Sequence, residues 1–174
     1  MSNWSQHLYF FILPMIFANV GHMILVKKDY LSFLSIPLAP QALGQNKTLR
    51  GFVVLPLLAA FFLAIFSFWK GPFLDDIIYD IAAGLGFGLA YLLAELPNSY
   101  IKRRLGIANG EHSKKYRVLQ IFVDKSDSLI LMILFYYSLN LISFSASIYL
   151  FLISLLISLS LSYLLYSLKL KKSF

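Results

Sequence analysis

The chain contains no cysteine, so disulfides, thiol nucleophiles and thiolate metal ligands are excluded together. It is also poor in charge: Asp, Glu, Lys and Arg make up 13% of its 174 residues, about half the usual share in a soluble domain. It lacks any polar stretch long enough to form a separate soluble domain. The three histidines, His7, His22 and His112, stand far apart in the sequence, without a partner at metal-ligand spacing, which argues against a zinc site. The sequence is filled by apolar residues instead, 59% hydrophobic and 17% aromatic.

Five apolar stretches have about the 20 residues needed to cross a hydrocarbon core. They lie near Leu8 to Val26, Phe52 to Trp69, Ile77 to Ala94, Val118 to Leu139 and Ala146 to Leu168. All are predicted to be helices, because lipid leaves peptide groups no partner but one another and the runs are too long for barrel strands. The expected fold is an all-α integral membrane protein in which residues 1–174 form a single membrane-embedded domain. The first stretch does not read as a cleavable signal, since MSNWSQH has no basic n-region and Lys27 and Lys28 follow on the far side.

Basic residues set the expected orientation. Lys27, Lys28, Lys47 and Arg50 follow the first stretch; Lys102, Arg103, Arg104, Lys114, Lys115 and Arg117 follow the third; Lys169, Lys171 and Lys172 end the chain. Only Lys70 lies in a loop on the opposite side. Short cytoplasmic loops accumulate Lys and Arg, so the N-terminus is expected outside, the C-terminus in the cytoplasm, and the protein in the cell membrane as a multi-pass chain. Topology and anionic headgroups account for the net charge of +7 without nucleic acid. Neither an aromatic-interleaved RNA surface nor a DNA-reading helix is present.

Most small and polar residues within the stretches read as packing. Ala82, Gly86, Ala90 and Ala94 recur every four residues, with Gly84 and Gly88 beside them as a GxxxG pair. Ser154, Ser158 and Ser162 recur at the same spacing and predict interhelical hydrogen bonds. Pro14 and Pro56 are tolerable as kinks or first-turn residues.

The segment QIFVDKSDSLILM resists that reading. A lipid-facing Asp or Lys near the bilayer centre costs about 2.5 to 3.5 kcal/mol, whereas each Leu, Ile or Phe returns about 0.3 to 0.6 kcal/mol. Asp124 and Asp127 are therefore expected to face inward. At i and i+3 the two aspartates share a helix face, and two carboxylates side by side call for something positive between them. A divalent cation answers this economically, and hard oxygen ligands with room for water and phosphate suit Mg2+ better than zinc. A carboxylate pair neutralised by Lys or Arg from another helix is the structural alternative. Lys125 should face a different side from its acidic neighbours.

Two further stretches lie on the same side of the membrane. In ALGQNKTLRGF, Gly44 and Gly51 bracket Asn46, Lys47, Thr48 and Arg50, a set suited to phosphate. It departs from a Walker A loop, because Asn46 stands where that loop needs its second glycine. In AELPNSYIKRRLGI, Pro97 is expected to stop the third helix, with Asn98 or Ser99 capping a new one that carries Lys102, Arg103 and Arg104. Glu95 would stay at the membrane surface beside those cations. An acidic metal site and two basic loops on one face describe a pocket for a phosphate-rich ligand with Mg2+.

The ordered set LGQNKTLRGF, a glycine-rich helix leading to ELPNSYIKRRLGI, and then DKSDS resembles the CDP-archaeol synthase family from about Phe17 to Leu131. That family belongs to the wider group of membrane CTP-dependent phosphatidate cytidylyltransferases, whose Asp-Arg-x-Asp-Ser signature is matched by Asp124 to Ser128. Many archaeal members carry Gly-Asp where Ala94 and Glu95 stand. The resemblance implies an enzyme that joins CTP to a membrane lipid phosphate, archaetidic or phosphatidic in type, with Mg2+ and in the lipid bilayer, releasing pyrophosphate.

Under that resemblance Glu95, Asp124 and Asp127 are the expected metal ligands and, with Lys102, the catalytic set. Lys47, Arg50 and Lys102 would meet the departing pyrophosphate, and Arg103 and Arg104 the lipid phosphate. Asn46, Thr48 and Ser99 would hydrogen-bond the triphosphate or ribose. The competing classes are a small ion-coupled transporter, for which the absence of an inverted repeat is unfavourable, and a non-catalytic membrane scaffold.

Overall fold

Apolar runs separated by short polar loops dictate helices laid side by side, and the computed structural model has this arrangement. It describes residues 4–108, 111 and 116–167. Met1 to Asn3, His112, Lys114, Lys115, Leu168, Lys169, Lys171 and Lys172, used in the sequence reading, lie outside the described residues. The long helices are α1 (Trp4–Lys27), α2 (Leu49–Lys70), α3 (Ile77–Arg104), α4 (Arg117–Ser138) and α5 (Phe144–Ser167). No strand occurs among the described residues; a lone bridge pairs Pro37 with Thr48.

Helices α1, α2, α3 and α5 are long and apolar enough to cross a membrane. Sequence reading expected five such spans, and α4 falls short because Asp124, Lys125 and Asp127 interrupt its apolar run. It has the same 22-residue length as α2 and packs against both α3 and α5. Leu57, Phe61, Ile65 and Phe68 on α2, and Ile148, Leu152 and Leu156 on α5, point outward as exposed apolar rows. Such surface suits a lipid surrounding. The protein is thus an all-α membrane protein.

Helix α3 is the centre of the bundle, packed on α2 and α4. A Cβ at Gly84 would lie 2.6 Å from the Ala60 Cα, and one at Gly88 2.4 Å from the Pro56 Cα. The glycine pair therefore serves close backbone approach, as the packing reading expected. Phe10, Phe11, Leu55, Leu63, Phe87, Met132 and Leu150 fill the buried core. A π-helical turn, Leu8–Ile12, lets the consecutive Phe10 and Phe11 both point inward.

At one end of the bundle, Asp80 is fully buried and accepts hydrogen bonds from the backbone N–H groups of Phe73 and Leu74, each at 2.9 Å. This clamps the α2–α3 turn, where Gly71 adopts φ +87°. His7 is buried nearby in the chain's first helix, its Nδ1 paired with the Tyr136 hydroxyl at 2.8 Å.

One sequence expectation fails in an informative way. Pro97 does not stop α3, and neither Asn98 nor Ser99 caps a new helix; α3 runs on to Arg104. A proline inside a helix removes one hydrogen bond, at a cost of about 3 kcal/mol in water, but packed membrane helices absorb it. Gly106 at φ +72° then ends the helix, where the Ile107 N–H reaches the Lys102 carbonyl at 3.0 Å. Continuity through Pro97 stacks Glu95, Asn98 and Lys102 on one face.

Candidate functional site

At the end of the bundle opposite Asp80, the C-terminal half of α3 meets the N-terminal half of α4. Asp124 and Asp127 do share a face, and it is turned toward α3. Asn98 donates both amide hydrogens across the gap, to Asp124 Oδ1 at 2.7 Å and to Asp127 Oδ2 at 2.8 Å. Lys102, one turn further along α3, donates to the second Asp124 oxygen at 2.5 Å. The other Asp127 oxygen accepts from the Ser128 backbone N–H at 2.6 Å and from the Ser128 hydroxyl at 3.1 Å. Asn98 was read from the sequence only as a helix cap. Its signal was the heptad spacing Glu95, Asn98, Lys102, which becomes visible once α3 is continued through the proline.

Glu95, one turn before Asn98, forms an ion pair with Lys47 from the loop before α2. That loop is fixed by local chemistry. Thr48 is extended and accepts from the Gly51 N–H at 3.4 Å, capping α2. On either side of it, Leu38 N–H reaches the Lys47 carbonyl at 2.8 Å and Leu49 N–H reaches the Ile36 carbonyl at 2.9 Å. The NKT sequence thus places Lys47 over α3 while Thr48 starts the next helix. Both ion pairs are mostly buried, with side-chain exposures between 15 and 22%.

These groups surround a cavity of about 360 Å³. Of the predicted site residues, Asn46, Lys47, Glu95, Ser99, Lys102, Arg103, Asp124 and Asp127 line it. Lys125 lines it too, against the expectation that it faces elsewhere: a 100° step around the helix still leaves its long stem at the rim. Asn19, Tyr91, Glu111, Ser158 and Ser162 join the wall, and none was singled out as a site residue from the sequence.

Three predicted residues do not line this cavity. Thr48 and Arg50 border an adjoining space of about 420 Å³, which shares Asn19, Asn46, Lys47, Tyr91 and Glu95 with the first and adds His22 and Gln45. Arg50 is buried and donates to Asp29 Oδ1 at 3.1 Å and to the Tyr30 carbonyl at 3.0 Å, holding the turn after α1 in which Asp29 has φ +54°. Arg104 lies on the exposed side of α3, its Nε donating to the Tyr100 hydroxyl at 2.9 Å, and lines neither space.

Two carboxylate oxygens converge on Asn98 Nδ2, so the amide fills the gap between them and a small cation would bind these two hard ligands only by displacing it. Glu95 is turned to Lys47 and does not complete a three-carboxylate group. Among the described residues no set of three or more His, Asp or Glu side chains is close enough to hold a metal on its own. A site of two carboxylates completed by water and substrate phosphate is the arrangement Mg2+ favours, so the residues fit that ion. Two of the acids have a cationic partner, Lys47 for Glu95 and Lys102 for Asp124, while Asp127 is held by hydrogen bonds from Asn98 and Ser128.

Fold and site together define a multi-pass helical membrane protein with a mixed acidic and basic cavity at one end, suited to a polyanion and its counter-ion. A family model described as CarS-like, CDP-archaeol synthase, matches residues 5–174, and the chain belongs to that family. Membership implies a nucleotidyltransferase-type enzyme with a nucleotide and a lipid as substrates in a membrane. No curated protein and no solved structure matches the chain.

Proposed function

We propose that the protein is a CTP-dependent cytidylyltransferase that converts a membrane lipid phosphate and CTP into CDP-lipid and pyrophosphate in phospholipid biosynthesis. The observation that carries this reading is the row Glu95, Asn98 and Lys102 on α3, set against Asp124 and Asp127 on α4, inside a cavity that Lys47 also enters. Family membership supports the same chemistry. The cavity end carries Lys27, Lys28, Arg103 and Arg104, so it is the cytoplasmic face in this reading, where CTP is available.

A lipid phosphomonoester is itself the nucleophile, so the protein needs no serine, cysteine or strong base. An oxygen of the lipid phosphate forms a bond to the α-phosphorus of CTP, and the bond from that phosphorus to the bridging oxygen breaks, releasing pyrophosphate. Two anions must be brought together, and positioning with charge neutralisation is the protein's contribution. Asp124 and Asp127 would hold Mg2+, with Glu95 reaching it through water, and the ion would supply charge neutralisation on the triphosphate. Lys47 and Lys102 are placed to leave their carboxylates for the β- and γ-phosphates, while Asn46 and Ser99 offer hydrogen bonds to the same group. Arg103, which also lines this wall, would meet the lipid phosphate. Arg50 and Thr48 act through the loop and helix start that carry Lys47.

The test is to reconstitute the full chain in lipid with labelled CTP, Mg2+ and a panel of ether and acyl lipid phosphates. Labelled CDP-lipid and equimolar pyrophosphate are expected. A folded protein that yields neither from any lipid would overturn the reading in favour of a transporter or scaffold.

A further inference from the structure

Ser67, Ser126 and Ser147 are buried in helices, and each donates its hydroxyl to the carbonyl four residues back, at 2.9, 2.9 and 3.0 Å. That local bond is how a serine survives in an apolar helix. Ser154 on α5 is equally buried, 6% exposed, yet its Oγ has no partner. The interhelical bond expected from the sequence is not made either. An unsatisfied buried hydroxyl is costly and calls for an explanation.

Ser154 lines a narrow slot of about 60 Å³ between α1 and α5. Most of its other walls are apolar, Phe11 and Met15 from α1 and Met132 from α4 among them, with polar groups only where it meets the acidic cavity. Asn19, Tyr91, Ser158 and Leu161 belong to both the slot and the acidic cavity, so the two spaces adjoin. Helix α5 packs chiefly on α4, which leaves its seam with α1 the looser one.

We infer that this slot receives the glycerol segment of the lipid substrate and that the Ser154 hydroxyl donates to an oxygen linking a hydrocarbon chain to it. The inference rests on the reaction proposed above and names a specificity residue for its lipid. Depth supports it. Ser162 and Ser158 line the acidic cavity, and Ser154 lies one turn, about 6 Å, further into the bundle. A chain-bearing oxygen of a glycerol lipid is a few covalent bonds from its phosphate, a comparable reach. The tails then leave through the seam between α1 and α5 into the bilayer.

The test compares wild type with Ser154→Ala, in nanodiscs, on two probes: a dialkylglycerol phosphate and a single-chain alkyl monophosphate, which keeps the phosphate but has no chain-linking oxygen. Initial rates give KM for each lipid and for CTP, and lipid-induced thermal stabilisation reports binding without turnover. The expected result is a roughly five- to tenfold rise in KM, and a matching loss of binding, for the glycerol lipid only. KM for CTP and for the alkyl phosphate should stay unchanged, and the free variant should melt no lower than wild type. If turnover is normal and the substitution affects both lipids alike, or neither, the slot assignment is overturned and the reaction stands. If wild type makes no CDP-lipid yet Ser154→Ala selectively weakens glycerol-lipid binding, the reaction is overturned and the slot stands. Absence of both turnover and lipid binding overturns both.

Discussion

The two ends of the bundle treat buried polar groups in opposite ways. At the Asp80 end, one carboxylate takes two backbone N–H groups, and His7 takes one phenol hydroxyl. The two backbone donors are fixed by the chain, and the phenol is held by the rings of Phe10, Phe11 and Phe87 around it. At the other end, Asp124, Asp127 and Glu95 are satisfied by Lys102, Asn98 and Lys47, donors at the tips of side chains that can turn elsewhere. Asp80 is fully buried, whereas Glu95, Asp124 and Asp127 are partly exposed at the cavity wall; bonds to backbone hold a fold, and bonds to side-chain tips leave room for the exchange with a ligand proposed above.

The comparison is broken most forcefully by substituting one acid at each end. Asp127→Asn keeps the shape and removes the charge proposed above to hold Mg2+. CDP-lipid formation should fall by about 10²- to 10³-fold, the range seen when one preorganised electrostatic group is lost. The melting temperature should fall by only a few degrees: the amide keeps one acceptor oxygen, and its NH2 group faces a donor, Asn98 or Ser128, at a site that is partly exposed. Retained activity in reconstituted membranes would remove Asp127 from the site. Asp80→Ala should do the reverse. Two charge-assisted bonds vanish, and about 2 to 4 kcal/mol of stability goes with them, read as a lower melting temperature in detergent. The rate per folded molecule should hold. A catalytic defect without a stability change would mean that the ends are coupled in a way their partners do not suggest.

The same contrast explains what was legible in the sequence. Helix positions followed from apolar runs, because hydrocarbon admits few other solutions. Costing Asp124 and Asp127 turned them inward, and i, i+3 spacing put them on one face. The partners were harder. Pro97 carries a strong local stop signal, and only packing across α2 and α4 overrides it, so the alignment of Glu95, Asn98 and Lys102 was hidden. Asp80 gave no signal at all, since its partners are backbone groups of a turn. Lys47 and Arg50 looked equivalent as loop cations. They diverge because Thr48 starts α2 between them: Lys47 stays on the incoming strand of loop facing α3, whereas Arg50 rotates with the first helical turn toward Asp29.

A smaller and more diagnostic effect comes from the lysines. If Lys47 and Lys102 are exchangeable counter-ions, each does two opposed things. It competes with Mg2+ for a carboxylate when the site is empty, and it binds phosphate when nucleotide is present. Lys102→Met, which keeps an apolar stem of similar length, should therefore weaken CTP binding by roughly tenfold, one lost charge-assisted contact. In the same protein, Mg2+ binding without nucleotide should tighten by a few-fold, because Asp124 no longer has a resident ammonium partner. Titrating Mn2+ as an observable substitute, with and without CTP, measures both signs and reduces the wild-type synergy between ion and nucleotide. A lysine that only supports the fold would shift neither affinity in opposite directions. If both affinities fell together, the site end would be built like the Asp80 end, and the distinction between holding bonds and exchanging bonds would fail where it matters most.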